Sequence, residues 1–219
     1  MHDRAITIVT YEWVPAFARG FVRDLRVRWA AEEAGVAYSI ETTPVRPKAE
    51  AHRAIQPFEQ VPVLKDGAVT MFESGAILWR LGERSPALMP QEDAARAETM
   101  QWLFAALSSV EPLTNGWVLA RTVDKDAAQA ERAAGRMNPR LAALARVVET
   151  RAHIAAGRFT IADILMADVL RVVDSQGGLD AHPALAAYLA RQTARPAFRK
   201  ALDDQMAHWA AADSRRAAG

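Results

Sequence analysis

Two hydrophobic rhythms divide the chain. As far as about residue 84, short β-branched and aromatic runs alternate with stretches of helical spacing. Ile6–Tyr11 predicts a buried strand. After a loop containing Pro15 and Gly20, Phe21, Val22, Leu25, Trp29 and Ala30 recur at helical spacing, which predicts an amphipathic helix over about 21–34 with Gly35 at its C-terminal stop. Residues 36–42 read as a second strand, and 44–55 as a proline-flanked loop with a short helix. The runs 61–64 and 69–72, joined through Asp66-Gly67, read as a tight hairpin, because Asp-Gly favours the positive backbone angles of such a turn. Glu73-Ser74 then opens a helix to about Arg84. The order strand, helix, strand, helix, strand, strand, helix requires a small mixed sheet.

Beyond a linker at 85–90, which holds two prolines, the chain becomes alanine-rich with long 3.6-residue periods and no strand pattern. Helices are expected at about 91–120, 124–156, 160–175, 183–194 and 196–212. Pro112 and Pro139 fall inside the first two, so each should be kinked or divided. The Ala/Arg-rich end from Ala210 is expected to fray. The organisation is therefore an α/β domain over 1–84, a linker over 85–90, and an all-helical domain over 91–219.

Composition narrows the function classes. With 219 residues, 51% of them hydrophobic, the chain can bury one large core or two modest ones, and a disordered tail is excluded. There are 11 basic and 11 acidic residues through residue 84, and 16 and 15 beyond it, so neither half has the excess expected of a nucleic-acid binder. The absence of Cys removes protein thiol nucleophiles, disulfides and zinc–thiolate sites together, and no metal site is expected. The first ten residues lack the features of a signal peptide and no apolar run approaches 18 residues, so a cytoplasmic protein without a membrane span is expected.

Two segments carry candidate chemistry. In Gln60-Val61-Pro62-Val63, a cis bond before Pro62 would turn the N–H and C=O of Val61 away from the sheet, toward an extended peptide-like ligand. The plain alternative is a trans proline at the start of an edge strand. In Glu73-Ser74-Gly75-Ala76-Ile77, Ser74 could hold a carboxylate at a helix start, and Glu73 could receive an ammonium group. The alternative there is an ordinary Ser74 N-cap with an acidic neighbour.

Taken together and at this spacing, residues 56–64, Asp66-Gly67 and 72–77 resemble the glutathione-binding half of glutathione transferases. The stretch 26–35 is similar to that family's first helix, and Phe159-Thr160-Ile161-Ala162-Asp163-Ile164 resembles its core-helix capping signature. Physically, the last is a Thr-x-x-Asp capping box before an apolar stretch, so Thr160 and Asp163 should serve folding. The resemblance spans nearly the whole chain. It implies a thioredoxin-like βαβαββα domain with a cis Val61–Pro62 bond, a helical second domain and a homodimer. It also implies glutathione as co-substrate, with Val61 pairing to its cysteinyl unit, Glu73 and Ser74 binding its γ-glutamyl end, and Gln60 and Lys48 as further contacts. An electrophile would lie near Trp102, Phe104, Ser108 and Trp117, each of which can equally be a core residue.

Such a transferase needs a thiol of ordinary pKa near 8.5 ionised close to neutrality. The family usually supplies a Tyr, Ser or Cys donor just after the first strand or at the start of the first helix, yet no Ser precedes Ser39 here and there is no Cys. Tyr11 is the best hydroxyl by analogy, although strand alternation could turn it into the core. Trp13 could donate its indole N–H or line the cleft. Arg19, Arg23 and Arg26 follow helical spacing and could supply positive potential. For all but Arg19 the favoured reading is a solvated face in which Asp24 and Arg28 form an ordinary i,i+4 pair. The function expected is conjugation or related processing of small apolar electrophiles with glutathione thiolate, as in detoxification. The alternative is a binding or interaction protein that kept the cradle but lost thiol activation.

Overall fold

The computed structural model describes residues 5–218. In chain order the first elements are β1 (Ile6–Tyr11), a 3₁₀ turn (Ala16–Ala18), α1 (Asp24–Ala34), β2 (Tyr38–Thr43), α2 (Glu50–Ile55), β3 (Val63–Asp66), β4 (Val69–Phe72) and α3 (Ser74–Glu83). Then follow α4 (Asp93–Ala105), a π-helical turn (Ala106–Val110), α5 (Glu111–Thr122), α6 (Ala127–Val148), α7 (Ile161–Asp174), α8 (Pro183–Thr193) and α9 (Pro196–Ala218). They form two compact units. The first runs to Leu88 and is joined by the segment from Arg195 onward; the second is Met89–Ala194.

In the first unit the sheet order is β2-β1-β3-β4. β1 runs parallel to β2 and antiparallel to β3, in the register Val9↔Val63, and β3 pairs antiparallel with β4, Val63↔Phe72. Gly67, with φ +68°, supplies the left-handed residue that turns β3 into β4. The Val61–Pro62 and Arg46–Pro47 peptides are cis. This is the expected α/β arrangement, thioredoxin-like in its βαβαββα order.

One expectation for this unit fails. The sequence favoured a solvated polar face on α1, but every residue from Asp24 to Ala31 is buried, with Arg26 and Arg28 each 1% exposed. Beside α3 and β1, α1 is covered by α9, which the sequence had grouped with the helical half and which packs on α1 in the first unit. Phe198 meets Trp29 edge-on, with ring centres 4.8 Å apart. Gln205 donates to Asp24 at 2.7 Å, Tyr38 to Asp204 at 2.9 Å, and Arg195 to Glu33 through two bonds of 2.5 and 2.8 Å. The Asp24–Arg28 pair, 2.7 Å apart and 0% and 2% exposed in its side chains, is therefore a buried ion pair and not a surface one. Burial pushes the Asp24 carboxyl up, against the pull of Arg28. Nor does the C-terminal segment fray, since α9 continues to Ala218.

In the second unit the expected first long helix divides. A π-helical turn ends α4, and Pro112 stands in the first turn of α5, where its missing N–H costs little. By contrast, α6 runs unbroken through Pro139. Both Pro139 and Gly135, whose carbonyl loses its helical donor, are exposed, so water can take that carbonyl. Buried α7 opens with the full capping box of Thr160 and Asp163. Asp163 also accepts from the Ile154 N–H at 2.8 Å and the Tyr188 hydroxyl at 2.9 Å, so one buried carboxylate ties the preceding loop and α8 to the start of α7.

Candidate functional site

The sheet register gathers the site. Val9 faces Val63, so Tyr11, two residues on, and Val61, two residues back along the antiparallel neighbour, belong to the same sheet end. β4 stops at Phe72 at that end, and Glu73 and Ser74 continue directly into α3. The loop leaving β1 leads there into the start of α1. Val61 itself lies beyond the β1–β3 and β3–β4 ladders.

At the start of α3 the structure corrects one assignment. The N-cap is Glu73, not Ser74, and Glu73 has φ +69° and ψ +111° with no side-chain capping bond. A left-handed angle on a non-glycine residue is a strained backbone that its surroundings must hold. Ser74 is the first helical residue, is buried, and accepts a 3.0 Å hydrogen bond from Nη1 of buried Arg26. The opening N–H groups of α3 have no partner within the helix. Gln60 is exposed, while its carbonyl accepts from His52 Nε2 at 2.8 Å.

Tyr11, the last residue of β1, is half-buried. Burial raises its phenol pKa while Arg23 and Arg46 pull it down, so near neutrality the hydroxyl is protonated and can donate. The Lys48 ammonium lies 4.1 Å from the centre of its ring. That Nζ is shielded from solvent and has no hydrogen-bond partner; burial lowers the Lys48 pKa, against the pull of the Glu59 carboxylate. A shielded ammonium without a hydrogen bond is costly unless an acceptor completes it.

The other two candidate donors are engaged elsewhere. Trp13 donates its indole N–H to Asp213 Oδ1 at 2.8 Å. Arg19 grips the same carboxylate through Nη1 and Nη2 at 2.6 and 2.7 Å, and its Nε donates to the Val14 carbonyl at 3.2 Å. Both side chains therefore anchor α9. The remaining candidates belong to the helical unit. Trp102 is half-buried on α4, Phe104 is exposed, and Ser108 donates to the Phe104 carbonyl at 2.7 Å. Trp117 is buried, abuts Gly178 and lines a groove of about 480 Å³ with Arg121, Lys125, Asp126 and Gln176.

Against known families, residues 25–84 match the glutathione S-transferase N-terminal domain and residues 88–196 the glutathione S-transferase C-terminal domain. The chain belongs to the glutathione S-transferase family. Among solved structures, this transferase-family chain is similar to a glutathione transferase family member from Pseudomonas fluorescens pf-5 with two glutathione bound. That likeness has 25% identity and a TM-score of 0.79, covering 90% of this chain and 92% of that one. A Pseudomonas putida glutathione transferase with one glutathione disulfide bound per subunit shares the fold, with 22% identity, a TM-score of 0.78, and 91% of each chain covered.

Curated relatives match over shorter stretches. Disulfide-bond oxidoreductase YghU of Escherichia coli (strain K12) is 41% identical over 54 residues, 23% of this chain and 19% of that protein. Probable maleylacetoacetate isomerase 1 of Drosophila melanogaster is 32% identical over 102 residues, 43% of this chain and 42% of that protein. The chain thus spans less than half the length of these relatives.

Sequence reasoning missed one cation of this candidate site. Arg23 had been weighed as a source of positive potential against a solvated face, whereas Arg46 was not considered, and both act electrostatically on the Tyr11 hydroxyl. The pairing of Arg46 with Lys48 in one proline-rich loop was the available signal. Among the described residues no group of three or more His, Asp and Glu could hold a metal ion, and no helix is long and apolar enough to cross a membrane.

Proposed function

We propose that the protein is a glutathione-dependent transferase in which the Tyr11 hydroxyl, and not Trp13 or Arg19, activates the thiol. The observation that carries this reading is the gathering of a protonated phenol, a shielded ammonium without a hydrogen bond and the start of α3 at one sheet end. These groups suit glutathione. The open backbone of Val61 can pair with the cysteinyl unit as a strand would. Ser74 and the first N–H groups of α3 suit the γ-glutamyl carboxylate, with Glu73 toward its ammonium and Gln60 alongside. Lys48 suits the glycine carboxylate, which would complete its missing partner.

A thiolate accepting a hydrogen bond from Tyr11, in the positive field of Arg23, Arg46 and Lys48, is favoured over the thiol, so its pKa falls. Sulfur then attacks an electrophilic carbon; the carbon–sulfur bond forms, and the leaving group departs with the electron pair of its former bond. Positioning supplies most of the acceleration. The working assembly in this reading is a homodimer acting on small apolar electrophiles.

The test is retention on immobilised glutathione together with turnover of an activated aryl halide. Retention with turnover supports the reading, and Ser74→Ala should then weaken glutathione binding about 10-fold, as loss of a hydrogen bond to a charged group does. Retention without turnover points to a binding protein instead, and the absence of both overturns the assignment.

A further inference from the structure

The loop leaving β1 is held from the far end of the chain. His208 of α9 donates from Nε2 to the Tyr11 carbonyl at 2.9 Å. Five residues later, Asp213 takes the Trp13 indole N–H and both terminal nitrogens of Arg19 on its two oxygens. Arg216 stacks on the Trp13 ring, 4.4 Å from its centre. Between these points lie Val14, Pro15 and the exposed Phe17, in a segment with only a single 3₁₀ turn of its own. A loop with so little internal structure takes its conformation from its anchors. Asp213 is 49% exposed and Arg19 17%, so the pair is open enough to be altered without emptying a core.

We propose that Asp213 is a positioning residue for glutathione activation: by fixing Trp13 and Arg19 it sets the exit of β1, and with it the placement of the Tyr11 hydroxyl against the thiol. The inference rests on the reading of Tyr11 as the thiol's donor. In this proposal Asp213 acts through the loop, by its bonds to Trp13 and Arg19. Its carboxyl is held down to about 2, first by the Arg19 bonds and then by Trp13, so the anchor is charged throughout the pH range of turnover. The bidentate geometry explains why a carboxylate is required, since an amide offers one acceptor oxygen where three donors converge.

The experiment compares wild type with Asp213→Ala, Asp213→Asn and Asp213→Glu, using Lys200→Ala as a control. Lys200 is on the same helix and pairs at 2.9 Å with Glu32 of α1, away from the loop. Three quantities are read: glutathione affinity, the pKa of the bound thiol from its ultraviolet absorbance, and kcat/KM against pH with an activated aryl halide. Asp213→Ala and Asp213→Asn should raise the thiol pKa and lower kcat/KM about 10- to 100-fold, the scale of a misplaced catalytic group, with glutathione affinity nearly unchanged. Asp213→Glu should restore part of the loss, and Lys200→Ala should match wild type.

An unchanged thiol pKa and rate in Asp213→Ala overturn the proposal while leaving the transferase reading intact. So does an equal loss in Lys200→Ala, which would mean general loosening of α9. A wild-type protein that binds no glutathione overturns both.

Discussion

At the residue scale, the proposed transferase reading needs a group that lowers the thiol pKa, and each candidate donor is distinguished by what it already touches. Trp13 and Arg19 meet on one carboxylate, whereas the Tyr11 hydroxyl, raised by burial, lies in the field of Arg23 and Arg46. Replacing Tyr11 by Phe keeps the ring and the Lys48 contact and deletes only the donor. The bound thiol should then titrate at higher pH. The rise of kcat/KM with pH should shift upward accordingly, and the rate at neutral pH should fall about 10- to 100-fold, the range of a hydrogen bond to a charged group. A pH–rate profile of the two proteins measures this. Tyr11, Val61, Glu73 and Ser74 were legible as candidates because they sit where strands end and a helix begins and because the family resemblance gives those positions a role. The strained angle of Glu73 and the Arg26–Ser74 bond were not, because both depend on how α1 and α3 come together.

At the scale of elements, α1 shows how burial changes the meaning of a pattern. An i,i+4 Asp–Arg pair on an exposed helix contributes a few tenths of a kcal/mol. The same pair with α9 laid over it becomes a structural commitment, since removing one partner leaves a buried charge uncompensated. Arg28→Met should therefore destabilise the protein by about 3–5 kcal/mol in denaturant titration. The double change Arg28→Met with Asp24→Asn should recover much of that, because Asn can still accept from Gln205. The two internal prolines make a complementary point. Pro112 falls where the helix had already broken and Pro139 on an exposed face, so the same residue type marks a boundary in one helix and none in the other. The capping box at α7, which is local chemistry, was readable from four residues.

For the whole molecule, the chain's order is not the order of its packing. The last helix belongs to the first unit, bringing Phe198, Ala201, Gln205, Trp209 and Ala212 into its core. A chain ending at Ala194 would uncover α1 and lose two buried aromatics, each contributing about 1.5–3 kcal/mol, together with the Gln205–Asp24 bond. Set against a typical total of about 5–15 kcal/mol, the shortened protein should lose the cooperative unfolding transition of its first unit, as monitored by circular dichroism during heating. By itself the sequence determined the strand and helix order, the hairpin and the α7 cap, because those depend on periodicity and turn chemistry within a few tens of residues, and its motifs carried the family resemblance. Only the tertiary structure decided that α1 is buried from Asp24 to Ala31 and that Trp13 and Arg19 anchor α9. Those facts depend on residues almost two hundred positions apart, and one-dimensional spacing carries no information about which distant helix will cover a face.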